Sequence, residues 1–391
     1  MKRYIVCLLW LLLFSCVSHG FLIRAEAAEP FSAEDESDSL LGDFNFDAIQ
    51  NFLDQTPEGT GVPITFTELL KQLMKGDFEG VFHQCFVTLK TSLFGEITKN
   101  GRWMGQVILL GLIGAVFANF SGIFTGSQIS ETGFYVTYLL MFTFLASSCY
   151  TAISITQEIL SNILGFMRAL VPTYFLAVSF TGGSIASAAG CGFMLFSING
   201  VEWLFLRLLL PAVRIYVLFV LTGHLMKENI FSRMSSLLEN GIRWAVKTAA
   251  GLVLGFHLLQ SMVLPYADSL KNTSVRRFLA VVPGIGQGAE AISQLVLGSG
   301  VLIKNTIGAG AVIVLLIICL IPLVKLAVLL LFYQGAAALL EPVCDKRMVS
   351  CISSVGTGCG LLFRMSVSAL ILFSVSLAVV CMASNVTYYA G

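Results

Sequence analysis

Long apolar runs fill the chain after residue 100, and short polar stretches separate them. About 20 apolar residues are enough for a helix to cross the hydrocarbon core of a bilayer, which is about 30 Å thick. The pattern predicts eight such segments, near residues 103–124, 132–153, 159–180, 183–200, 201–226, 244–265, 309–334 and 360–383. We therefore expect an all-α fold, a polytopic bundle of about seven or eight transmembrane helices.

The fourth segment, 183–200, makes the number of crossings ambiguous because it is short and rich in small residues. Gly182, Ala186 and Gly190 recur every four positions, which lets helix backbones approach closely. The segment either crosses the membrane fully or re-enters it from one side.

The loop charges favour eight crossings. If residue 29 starts outside, eight crossings place the loops that carry Lys227 and Lys346 in the cytoplasm, in agreement with the positive-inside rule. The region 266–308, which would lie outside, is the exception because it also carries basic residues.

The first 28 residues have the pattern of a secretory signal peptide. A basic start is followed by an apolar stretch and by Ala25-Glu26-Ala27, which resembles a signal peptidase site. Two alternatives stay open: a lipoprotein processing box around Cys16, and an uncleaved anchor. An uncleaved anchor would leave the residues from 29 onward exported as well.

Residues 29–100 are predicted to form a short, acidic, exported helical region ahead of the membrane domain, 101–391. Apolar residues recur at helical spacing in 45–54 and again after Thr65, which with Glu68 forms a capping box. A wide apolar stripe follows over 78–93. These helices either pack on each other or lie on the membrane surface, or they form a docking face for another protein.

Composition confirms that the chain is not an ordinary soluble domain, since 56% of its residues are hydrophobic and 12% are charged. The net charge of zero conceals an asymmetry. Residues 29–99 carry thirteen acids against four bases, and residues 100–391 carry nine acids against sixteen bases. The bases are scattered among the predicted spans, so no nucleic-acid surface is expected.

The sequence offers no constellation for catalysis or cofactor binding. It has no HExxH motif, no P-loop lysine and no Gly-x-Ser-x-Gly, and its four histidines are dispersed. Cys344, Cys351 and Cys359 are spaced too widely for a CxxC metal site. The run around Gly284-x-Gly286 is interpreted as a Gly-rich turn into a helix, because no βαβ unit surrounds it. We expect no enzyme activity, no metal and no cofactor.

Charged residues within the predicted spans are the best candidates for function, because charges inside a membrane are costly. The candidates for buried charges are Arg168, Glu202, Arg207, Arg214 and Lys325, with Glu158, His257, Glu341 and Arg364 as further members of the set. Arg207 and Arg214 are seven residues apart on one helix face, with Pro211 between them as a kink. These charges either line a polar path and contact partner subunits, or pair with one another to hold the bundle together.

The most apolar stretch surrounds Lys325, between residues 309 and 333, and is interrupted only by that lysine and by Pro322. The run is longer than one crossing requires, so we expect tilt or a kink at the proline. Lys325 would lie near the middle of the bilayer, facing protein or water.

The same region carries a resemblance to a known family. Its residues are Leu302-Ile303-Lys304-Asn305-Thr306-Ile307-Gly308, the pattern Ile-Cys-x-x-Pro-x-x-Lys with Pro322 and Lys325, then Ala336-Ala337-Ala338 and Leu340-x-Pro342. In these residues the chain resembles stage III sporulation protein AE of endospore-forming Firmicutes. Lys304, Asn305, Pro322, Lys325 and Pro342 are the candidate family-motif residues.

The resemblance implies a multi-pass subunit of a channel, similar to a secretion system, between mother cell and forespore, required late in sporulation. It implies a location in the mother-cell membrane around the forespore, with the N-terminal region exported. Expected partners are other membrane and ring-forming subunits, a separate ATPase and membrane lipid. The alternative is a self-sufficient secondary transporter or permease, for which charges within spans and broken helices are also expected.

Overall fold

The computed structural model describes residues 46–55, 65–74, scattered positions between 87 and 116, and residues 127–180, 184–224, 231–279 and 286–389. These residues belong to one compact unit, Asn45–Gly391. Within them every regular element is a helix, which confirms the all-α prediction. The predicted signal peptide and the acidic stretch 29–44 lie outside the described residues.

Eight α-helices and one π-helical segment follow one another along the described parts of the chain. They are α1 (Asp47–Gln55), α2 (Phe66–Met74), α3 (Ser127–Phe180), α4 (Ser184–Glu202), the π segment (Trp203–Leu209), α5 (Leu210–Gly223), α6 (Ser232–Leu279), α7 (Gly286–Leu340) and α8 (Lys346–Tyr389). Five stretches on these helices are long and apolar enough to cross a membrane: Tyr135–Phe180, Ser187–Gly223, Ser232–Val263, Gly300–Leu340 and Lys346–Met382.

The long helices form an up-and-down bundle. The hydroxyl of Tyr138, early in α3, donates to the carbonyl of Leu221 at the end of α5 over 2.5 Å. Near the other end of α3, Tyr174 packs beside Gly308 of α7. Helix α8 lies against α7, α6, α3 and α5 and is therefore central to the bundle.

The division of the membrane domain differs from the prediction. The segments 132–153 and 159–180 lie on one uninterrupted 54-residue helix, α3. The sequence between them, around Ser154 and Thr156, contains neither glycine nor proline, so nothing in it stops a helix. The mostly polar residues 154–158 predict a loop between two spans, whereas the helix continues through them.

The segments 183–200 and 201–226 are likewise joined. Helix α4 passes through the π segment into α5 without turning back, so the fourth segment forms neither a re-entrant turn nor a crossing of its own, but part of one long candidate span, Ser187–Gly223. The predicted close packing holds at Gly190, where an added Cβ would lie 2.3 Å from the ring of Phe175. The predicted Gly-rich turn precedes a helix, since α7 begins at Gly286.

Helices α1 and α2 pack on each other and on the bundle. The rings of Phe46 and Phe66 meet edge to face at 5.6 Å, and Phe52 of α1 lies 6.2 Å from Phe166 of α3, centroid to centroid. Leu70 of α2 is fully buried. The apolar stripes of these two helices are therefore used within the chain, which favours the packing interpretation for them. The third predicted stripe, 78–93, lies almost wholly outside the described residues.

Candidate functional site: the charged waist of the bundle

Ten charged side chains from the five long helical segments, which we call rods, lie in a band around the middle of the bundle. The band is about 18 Å deep, since Glu202 and Arg214 are twelve residues apart on one rod. We call this band the waist. Its members are Glu158, Arg168, Glu202, Arg207, Arg214, Glu239, Arg243, Lys247, Lys325 and Arg364. The sequence does not reveal the band, because its members lie as much as 206 positions apart and meet only in the fold.

Contacts between α5 and α8 fix the height of two waist arginines. The hydroxyl of Tyr216 lies 3.4 Å from the carbonyl oxygen of Ser354. Arg207 precedes that tyrosine by nine residues, and Arg364 follows that serine by ten, on helices that run in opposite directions. At about 1.5 Å rise per residue, both arginines therefore lie about 14 Å from the same crossing point.

The same count places Arg243 of α6 in the band. The rings of Phe219 and Phe231 stack with centroids 5.4 Å apart. Arg207 lies twelve residues before the first ring and Arg243 twelve residues after the second, again on opposed helices. The two arginines are therefore level.

Helices α3 and α7 supply a third pair. The hydroxyl of Tyr333 donates to Ser148 over 2.8 Å. Glu158 lies ten residues beyond that serine, and Lys325 lies eight residues before that tyrosine. Their heights differ by only about 3 Å.

Two ion pairs lie within the waist. The guanidinium of Arg168 donates to the carboxylate of Glu202 and, over 2.9 Å, to the side-chain oxygen of Asn199. Arg243 pairs with Glu239 one turn earlier on α6. The first pair is the structural alternative that the sequence analysis considered for Arg168.

Burial within one chain differs from the expectation for six of the nine candidates. Arg168, Arg207 and Arg214 are exposed on the outside of the bundle, as are the further candidates Glu158, Glu341 and Arg364. Glu202 and Lys325 are half-buried, and His257 is buried. Hydropathy identifies the depth of a residue along a helix, but it does not determine which side of that helix faces the neighbours. An exposed arginine or lysine at the centre of a bilayer would cost about 2.5–3.5 kcal/mol or more.

The π segment explains how the helix accommodates Pro211. A proline has no N–H to offer the carbonyl four residues earlier, which here belongs to Arg207. The backbone widens instead, and the N–H of Leu210 donates to the carbonyl of Phe205, five residues back. The predicted disturbance at Pro211 is thus a π-helical turn.

The family-motif residues fall at three separate places. Lys304 is fully buried, and the side-chain oxygen of Asn305 accepts a hydrogen bond from the thiol of Cys381 over 3.3 Å. Pro322 is buried inside α7, which continues on both sides of it, and Pro342 is exposed in the turn before α8. The sequence marks Lys304 only as a family-motif residue and does not predict that its side chain is buried in the core.

A buried histidine outside the waist links three helices. His257 of α6 is only 1% exposed. Its Nδ1 lies 2.9 Å from the carbonyl oxygen of Val253 and 3.4 Å from the hydroxyl of Ser376. Its Nε2 lies 3.1 Å from the sulfur of Met194. This cluster fastens α6 to α4 and α8, and among the described residues no three His, Cys, Asp or Glu side chains gather in a metal-binding group.

A cysteine in the turn between α7 and α8 bonds to an earlier part of the chain. Burial raises the pKa of the Cys344 thiol, and the neighbouring Asp345 carboxylate raises it further. The thiol therefore stays protonated and donates to the carbonyl of Gly111 over 3.2 Å. This contact places the helical residues 111–113, part of the predicted first span, at the same end of the bundle.

The fold and the waist together define a class of protein: a polytopic, all-helical membrane protein with a band of charge around its bundle. A family model for stage III sporulation protein AE matches residues 64–384. The chain therefore belongs to the stage III sporulation protein AE family.

A relative from Bacillus subtilis (strain 168), "Stage III sporulation protein AE", is 22% identical over 363 residues. The alignment covers 93% of this chain and 89% of the relative. No solved structure matches the chain.

Proposed function

We propose that this protein is a structural, non-enzymatic subunit of a membrane complex that joins mother cell and forespore and is required late in sporulation. Family membership supports the sporulation role. One structural observation supports the role as a subunit: the apolar outer surface of the bundle is longer than a bilayer can cover.

The longest helices are more than twice as long as the hydrocarbon core is thick. Helix α3 has 54 residues and α7 has 55, so each is about 80 Å long at a rise of about 1.5 Å per residue. The hydrocarbon core is about 30 Å thick. Large apolar side chains are exposed near one end of the bundle, such as Leu139, and near the other, such as Leu259. Surface of this kind outside the lipid requires a protein partner.

Among the five candidate spans, the one on α6 is the least buried within the bundle. In its most apolar part only 17% is buried, against 44% to 56% in the other four stretches. Leu252 and Leu259 are exposed there, and a Cβ added to Gly251 or Gly255 would meet nothing within 4 Å. Small residues on an open helix face allow another helix to approach closely. In our proposal this face contacts another membrane subunit.

The orientation that we propose keeps the N-terminal region exported, in the mother-cell membrane around the forespore. Two predicted spans lie on the single helix α3, and two more lie on the continuous segment from α4 to α5. The number of crossings therefore falls by two, by one before residue 184 and by one between 184 and 224. Two fewer crossings leave the sides of all later loops unchanged. In this orientation the stretches that carry Lys227 and Lys346 stay on the cytoplasmic side, in agreement with the positive-inside rule. Energy would come from a separate ATPase.

Site-specific photo-crosslinking in sporulating cells tests the proposal. A photoreactive amino acid at Leu252 or Leu259 should form a crosslink to a defined protein during sporulation. The same probe at Val246, which is buried on the same helix, is the matched control and should give none. Crosslinks to lipid alone at both exposed positions, together with solute uptake by the purified protein in vesicles, would favour the transporter alternative.

A further inference from the structure

We propose that the waist lies at one membrane–water interface and that its exposed basic side chains bind the phosphate groups of anionic phospholipids. The bilayer then covers one half of the bundle, and the other half stands clear of it. This inference does not depend on the proposed function, because it concerns lipid rather than protein partners.

The first argument is the position of the charges between two zones in which most helices carry no charge, although Arg233 of α6 lies in the first. On one side of the waist, segments without any Asp, Glu, Lys or Arg are 135–157, 326–340 and 348–363. On the other side they are 184–201, 248–263, 305–324 and 365–382. These segments are 15 to 23 residues long and span about 22–35 Å, of the order of one hydrocarbon core. On these helices each zone is thus comparable to one bilayer, and the band lies at its edge.

The second argument is the exposure of the charges. Glu158, Arg207, Arg214 and Lys247 all face outward. With the bilayer centred on the waist, these groups would contact hydrocarbon, which is strongly unfavourable. With the bilayer over either zone, they reach the headgroup layer, where a cation is attracted to anionic lipid.

Tryptophan supplies an independent third argument. Trp203 and Trp244 are the two tryptophans of the bundle whose positions are described, and both belong to the waist segment of their helices. They are 59% and 69% exposed. Tryptophan is enriched at membrane–water interfaces, because its ring is apolar and its N–H is polar. Two exposed tryptophans beside a ring of arginines are typical of interface anchors.

The net positive charge of the waist favours an anionic ligand. The waist has seven bases and three acids, and two of the acids already pair with waist arginines. Arg207 and Arg214 are exposed two turns apart on one face of the rod. A guanidinium can bind two phosphate oxygens at once. The surplus of exposed bases therefore suits anionic headgroups better than zwitterionic ones.

A depth measurement tests the position of the waist. Fluorophores attached at Trp203→Cys and Trp244→Cys, in the full chain in vesicles, should be quenched best by nitroxides on lipid headgroups. Of labels at Leu139→Cys and Leu259→Cys, one on each side, only one should be quenched by a nitroxide at mid-chain. Strongest mid-chain quenching at the two waist positions, or at both outer positions, would overturn the proposal.

A binding measurement tests the ligand. Vesicle-free, detergent-purified protein should bind short-chain phosphatidylglycerol more tightly than phosphatidylcholine. The double variant R207Q/R214Q should weaken phosphatidylglycerol binding about tenfold. Arg233→Gln removes an exposed arginine outside the waist and is the matched control, with less than a twofold expected change.

Two results would contradict the headgroup assignment. One is equal losses in R207Q/R214Q and in the control, for variants that elute and melt like the parent protein. The other is displacement of the lipid by millimolar inorganic phosphate, which would indicate a site for free phosphate. An unchanged affinity in R207Q/R214Q would equally overturn the role of these two arginines.

Discussion

At the scale of single residues, the bundle depends on a few glycines where helices touch. Gly308 lies where α7 meets α3 and α8, and an added Cβ would be 3.2 Å from the sulfur of Cys381 and 3.4 Å from the ring of Tyr174. These neighbours belong to two different helices, so neither can move without disturbing the other contacts. Close packing of this kind tolerates added volume poorly.

Gly308→Val should therefore destabilise the protein by about 1–3 kcal/mol through overpacking. The change is measured as a lower melting temperature of the purified protein in detergent. Gly255→Val is the matched control, because a Cβ there meets nothing within 4 Å. Equal melting temperatures for the two variants would show that the crossing at Gly308 is looser than described.

Residue-level chemistry was predicted only where the signal was local. The disturbance at Pro211 could be proposed from residue type, whereas the sequence allowed Arg168 to pair with either Glu158 or Glu202 and did not choose between them. The depth of Lys304 and the contact of Tyr333 with Ser148 could not be proposed, because both depend on which helices become neighbours. Burial of Arg207 was expected from its depth along the helix, but the side of the helix that it faces depends on packing.

At the scale of elements, helix type was predictable and helix boundaries were not. The apolar periodicity predicted a helix over 45–54, where α1 spans Asp47–Gln55, and a helix after Thr65, where α2 begins at Phe66, because capping and amphipathic spacing are local. The long rods were divided wrongly, because a hydropathy minimum identifies polar residues and not a change of backbone direction. Residues 154–158 are polar and helical at once.

Ser154→Pro distinguishes a continuous helix from a loop at this point. Ser154 is exposed in the middle of α3, where a proline removes a backbone hydrogen bond and clashes with the preceding turn. We expect a loss of about 3 kcal/mol or more, seen as a reduced folded yield and melting temperature. Ser154→Ala should behave like the parent protein; a proline tolerated as well as alanine would indicate a loop.

At the scale of the whole molecule, the five rods place scattered charges in one band. The sequence correctly predicted an all-helical membrane protein, since that follows from hydrophobicity alone. It did not predict the waist, because the band exists only when α3, α6, α7 and α8 are aligned along their full lengths. The length of the rods, the uncovered face of α6 and the height of the waist therefore all depend on the same feature, the continuity of the helices.

A distance between two spin labels on α3 measures that continuity directly. Leu139 and Leu176 are both exposed and lie 37 residues apart on this helix. With Leu139→Cys and Leu176→Cys labelled in reconstituted protein, an uninterrupted helix predicts a separation of about 55 Å. Two antiparallel spans joined by a loop would instead bring the labels to within about 20 Å, and that result would contradict the account.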